Sequence, residues 1–96
     1  MTTVHVTITN HDGRIRILEW LAFLHEAVDA VIQHASAARG AHGAGLDNLT
    51  LCFDIADAGL ALKTRLAELA GDCPEAAITW AVTGDAEPIT PAGATP

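Results

Sequence analysis

The chain has 96 residues, half of them hydrophobic, which is enough for one domain with its own core and too few for two. Its formal net charge is -7 with a pI near 4.9, the wrong sign for a phosphate backbone or an anionic bilayer, so nucleic acid and membrane are disfavoured as partners. No apolar run approaches the roughly 20 residues of a membrane span, and "MTTVHVTITN" lacks the basic-then-apolar order of a signal peptide, so a cytoplasmic chain is expected.

Aromatic residues make up 4% of the chain and tyrosine is absent. The core must therefore rest on Val, Ile, Leu and Ala around Trp20, Phe23, Phe53 and Trp80. Cys52 and Cys73 make neither a disulfide framework nor a C-x-x-C pair, so reduced thiols are expected. The Ala-rich, Lys-poor composition is typical of a GC-rich bacterial genome. Arg14 and Arg16 stand near one another with Asp12 against them, whereas the rest of the chain is acidic and would steer a basic partner protein.

"TVHVTIT" alternates, with Val4, Val6 and Ile8 on one side and His5, Thr7 and Thr9 on the other. This is the pattern of a half-buried strand. In "NHDG" the Asp-Gly pair supplies the positive φ angles of a tight turn. "RIRI" then reads as the second strand of a hairpin, because Ile15 and Ile17 join the face of Val4, Val6 and Ile8. The rival reading makes Asp12 a helix N-cap and begins the helix there.

From about residue 18 to residue 39 the period is helical. Ile17, Leu21, Leu24, Val28, Val31, Ile32 and Ala35 form one stripe, with Trp20 at its border and Glu19, Glu26 and Gln33 opposite. Gly40 suits the position after the helix end. Phe23 projects away from the main stripe, beside His34 and several alanines, and the pair marks a candidate contact with a partner or a second copy.

"GAHGAGLDN" reads as a loop and "LTLCFDI" as a strand, with Leu49, Leu51, Phe53 and Ile55 opposite Thr50, Cys52 and Asp54. Asp57 caps a second helix that runs to Ala70 and bears the stripe Leu62, Leu66 and Leu69. The last strand is "AITWAVT", with Ile78, Trp80 and Val82 on its apolar side. Residues 1–84 are thus expected to form a single α/β domain, and 85–96 a disordered, Pro-rich tail.

Each strand has one apolar and one polar face, so both helices should cover the same side of the sheet. The expected fold is α+β, a two-layer open-faced sandwich of order β-β-α-β-α-β, or β-α-β-α-β without the hairpin. In general architecture it resembles the ACT and other ferredoxin-like sandwiches, although those have the order β-α-β-β-α-β, which differs from both readings.

Chemical motifs are sparse. His25 and Asp29 are helix neighbours, but "HEAVD" lacks the second histidine of H-E-x-x-H and the sequence fixes no further ligands. "GAHGAG" follows a helix and precedes a strand, the reverse of a phosphate-binding loop. Asp54 and Asp57 are accounted for by strand alternation and capping. Cys73 lies at a helix C-terminus, where the dipole disfavours a thiolate, and Cys52 has no base assigned to it. No metal and no cofactor is expected. On the polar face of the hairpin His5, His11, Arg14 and Arg16 converge as a candidate binding surface for an anion or an acidic partner.

The favoured function is a non-enzymatic protein-protein interaction or regulatory domain that self-associates. The alternatives are a small-ligand-binding regulatory domain of ferredoxin-like type, a small enzyme using a histidine, and an acidic inhibitor of a basic toxin.

Overall fold

A computed structural model describes residues 2–43, 45, 47–82 and 84–92. The first strand, β1, spans Thr2–Asn10, and a 3₁₀ turn follows at His11–Gly13. Helix α1 covers Ile17–His34, strand β2 Ala37–His42 and strand β3 Asn48–Ile55. Helix α2 covers Leu60–Asp72, strand β4 Ala76–Ala81, and the two-residue strand β5 Glu87–Pro88. The strands form one antiparallel sheet in the order β2-β3-β1-β4-β5.

The α+β class and the open-faced sandwich stand. The alternation read in β1, β3 and β4 also holds for Val4, Val6, Ile8, Leu51, Phe53, Ile55, Ile78 and Trp80, all buried, but Val82, read as the apolar end of the last strand, lies past β4 and is exposed. The place of the second strand along the chain differs from the hairpin order β-β-α-β-α-β. It comes after α1, over Ala37–His42, and residues 14–16 form a connection instead. The main elements thus run β-α-β-β-α-β, the ferredoxin-like order.

The hairpin fails because β1 is central. Its two hydrogen-bonding edges are taken by β3 and β4, which leaves no edge for "RIRI". The turn chemistry is nonetheless as expected, with Asp12 at φ 58° and Gly13 at φ 62°. Asn10, 3% exposed, substitutes for a ladder partner. Its side-chain amide accepts from Ile15 N–H at 2.9 Å and donates to the Ile15 carbonyl at 3.1 Å. This anchors Ile15 in the core while the chain turns into α1.

Helix α1 ends five residues before the expected Arg39. Ala35 is extended, and "AARGAH" pairs with β3. Alanine and arginine favour helix by propensity, so this strand is imposed by the unpaired edge of β3. The helix also presents an unexpected face to the core. Trp20, Phe23, Ala27, Ala30 and Val31 are buried, a face turned by roughly a quarter of a revolution from the aliphatic stripe. Trp20 and Phe23 stack at 5.8 Å, and α1 packs against α2. Two rings bury more area than the aliphatic residues they displace. Ile17, Leu18, Leu21 and Ile32 are left 50–78% exposed.

The start of α2 depends on Gly59, at φ 75°. A Cβ there would meet the Trp80 ring at 2.7 Å. Asp57 caps the turn rather than the helix, accepting from Gly59 N–H at 2.7 Å. The expected tail is partly ordered. Ile89 N–H donates to the Ile78 carbonyl and Ala92 N–H to the Ala67 carbonyl, both at 2.8 Å, and Ile89 packs on the core. This departs from the expected boundary at residue 84, because β4 offers an open edge to the returning chain. Residues 93–96 of that tail, and Ala44 of the glycine-rich loop, lie outside the described residues.

Candidate functional surface

Two surfaces carry the residues of interest. The first is the sheet face away from the helices. Alternation in β1 and β3 sends Thr3, His5, Thr7, Thr9, Thr50, Cys52 and Asp54 there, and the antiparallel register sets them opposite one another. Thr7 and Thr50 hydroxyls lie 3.0 Å apart, and Asn48 Nδ2 donates to Thr9 Oγ1 at 3.2 Å. His5 Nε2 lies 3.1 Å from Cys52 Sγ. At the end of the row Asp54, 7% exposed, receives Thr3 Oγ1 at 2.6 Å and Arg39 Nε at 2.9 and 3.0 Å. Hydrogen bonding from Arg39 and then from Thr3 holds its carboxyl below the usual carboxylate range, and Asp54 in turn raises Arg39.

The expected convergence of His5, His11, Arg14 and Arg16 does not form. His5 is on the sheet face. His11 and Arg14 lie around the 3₁₀ turn, each against Asp12 at 3.4 and 3.8 Å, and Arg16 holds the N-cap position of α1. The cluster presupposed a strand over residues 14–17, and the occupied edges of β1 forbid it. The Asp12 contacts are exposed and contribute little.

The second surface is the outer side of α1. Here Phe23 and His34 were the expected contacts. Phe23 is instead 6% exposed, stacked on Trp20 and bordered by Leu69 and Cys73 of α2. Its apparent isolation from the stripe reflected the wrong core face. His34 is exposed, and its Nδ1–H donates back to the Ala30 carbonyl at 2.8 Å. The accessible side chains are those read as core. Beside them an apolar groove of about 290 Å³ runs between α1 and the sheet margin, lined by Val28, Ile32, Ala38, Ala41, Leu51 and Phe53 among others.

Chemistry elsewhere is committed. A depression of about 360 Å³ at the ends of β3 and β4 contains Asp57, Lys63, Trp80, Asp85 and Glu87. Lys63 Nζ is bound to Glu87 at 2.7 Å and sits 5.0 Å from the Trp80 ring centre, and Asp57 holds the Gly59 amide. His25 and Asp29 are 3.6 Å apart on the wet side of α1. Among the described residues no group of three or more His, Cys, Asp or Glu side chains is placed to hold a metal ion. No helix there is long and apolar enough to cross a membrane.

No family model, curated protein or solved structure matches the chain. Arg39 and the His5–Cys52 pair were not assigned roles from sequence. The alternation of β1 and β3 signals that His5 and Cys52 share a polar face, but their adjacency requires the register.

Proposed function

We propose that this chain is a non-enzymatic interaction domain that associates with a second copy of itself through α1 and the β2 margin. The observation that carries this reading is the row Ile17, Leu18, Leu21 and Ile32, four aliphatic side chains 50–78% exposed on one side of one helix. Covering them contributes roughly 4–7 kcal/mol on each copy, about 8–14 kcal/mol for the pair, at the usual worth of a buried Leu or Ile. That is comparable with the ~4–15 kcal/mol cost of association. The apolar groove beside the row supplies further area, and its lining is nearly free of charge. A two-fold contact pairs the same patch on both copies, so apolar side chains meet apolar side chains on either side of the exposed His25–Asp29 pair that separates Leu21 from Ile32. β2, exposed along its length, borders the contact. A bulge between Ala38 and Gly40 interrupts its regularity, so the contact is led by the helix and not by strand pairing.

The test is sedimentation velocity over a wide dilution series. The full chain is expected to show a reversible monomer-dimer equilibrium. Leu21→Glu with Ile32→Glu is expected to be monomeric while keeping its circular dichroism and unfolding transition. A wild-type chain that stays monomeric at the highest concentration, or a double variant that still dimerises, overturns the reading.

A second reading, a small-ligand-binding regulatory domain of ferredoxin-like type, is favoured by the order β-α-β-β-α-β. It rests on architecture, which many functions share.

A further inference from the structure

The outward sheet face holds a thiol and a base in contact. His5 and Cys52 are directly opposed across β1 and β3, and Nε2 stands 3.1 Å from Sγ. His5 is exposed and Cys52 is half-buried and free, so a small reagent reaches the sulfur from solvent. Both side chains stand on inner strands of the sheet, which fixes their separation better than a loop would. A thiol attacks as its thiolate. A neutral imidazole at hydrogen-bond distance removes the proton, and the imidazolium then holds the sulfur anion. The charged or titratable side chains near the pair on this face are Asp54 and Arg39, bound to one another, and His42 on β2. The helices lie on the opposite side of the sheet.

We propose that Cys52, with His5 as its base, is a site of mixed-disulfide formation with low-molecular-weight disulfides. The Cys52 proton passes to His5 Nε2. Sγ attacks one sulfur of the disulfide, a new S–S bond forms, and the original S–S bond breaks. The departing thiolate takes the proton from His5 and leaves as a thiol. Cys52 is oxidised to one half of a mixed disulfide, and one sulfur of the reagent is reduced. Cys73 sits in the helix layer, at the C-cap of α2, so it does not resolve the product within the same chain. The result is a reversible cap on the open sheet face, at a residue that also borders the apolar groove beside α1.

Cys73 is an internal control. Burial, and then the Glu75 and Glu19 carboxylates, push its thiol up. The reduced full-length chain is treated with oxidised glutathione at neutral pH, and each cysteine is followed by peptide mass spectrometry. Cys52 is expected to react about tenfold faster than Cys73, since an unassisted thiol is only a few per cent ionised at pH 7. His5→Gln is expected to slow Cys52 about tenfold at neutral pH and to approach the wild-type rate near pH 10, where the thiol ionises unaided. Circular dichroism verifies that this surface variant is folded. Equal rates at the two cysteines, or an unchanged Cys52 rate in His5→Gln, overturn the proposal.

Discussion

Arg39 Nε bridges both carboxylate oxygens of Asp54, at 2.9 and 3.0 Å, and so ties the edge strand β2 to β3. The Thr3 hydroxyl holds the same carboxylate from β1. The Asp54 carboxyl therefore titrates lower in the folded chain than in the unfolded one. A depressed carboxylate stabilises the fold above its unfolded value, about 3.9, and that contribution is lost as pH falls through the lower native value. Urea midpoints are expected to drop on acidification below about pH 4. Asp54→Asn is expected to be less stable than wild type at neutral pH, with the gap narrowing in acid. A gap that is constant across pH would show that the charge is not what stabilises this junction.

Asn10 anchors the β1–α1 connection, and the interaction is buried. Asn10→Ala leaves the Ile15 amide without its acceptor and is expected to cost about 2–3 kcal/mol in urea unfolding. Asn10→Asp keeps the acceptor but loses both donated bonds, and it places a carboxylate beside Asp47, now 3.1 Å from Nδ2. Its defect is expected to be largest at neutral pH and to shrink in acid. A full-strength Asn10→Ala protein would mean that the loop is held elsewhere.

Ending the chain at Gly84 removes β5, the Glu87–Lys63 ion pair, and the packing of Ile89. Partial burial of one isoleucine and the backbone bonds to Ile78 and Ala67 together contribute about 2–3 kcal/mol. The truncated chain is expected to fold with a correspondingly lower denaturant midpoint. An unchanged midpoint would show that residues 85–92 contribute nothing to stability.

The strands β1, β3 and β4, the α2 stripe and the open polar sheet face were legible because each depends on a local period. Val4, Val6 and Ile8 point one way whatever they pair with, since alternation follows from backbone geometry. Leu62, Leu66 and Leu69 share a face for the same kind of reason. Position along the chain decided less where the signal was ambiguous. "RIRI" has strand alternation but no edge to join, and "AARGAH" has helical propensity but an edge waiting for it. Pairing with a distant strand is a tertiary event, and it overrode local preference in both places.

The same limit applied to function. Helix α1 has an apolar arc wider than one contact needs, and periodicity cannot say which part of a wide arc the core will take. Packing chose the rings Trp20 and Phe23 with Ala27 and Ala30, and so moved Leu21 and Ile32 from expected core to surface. His5 and Cys52, 47 residues apart, each read as the polar member of an alternating strand. Their meeting at hydrogen-bond distance depends on the β1–β3 register, which the packing of the whole sheet sets.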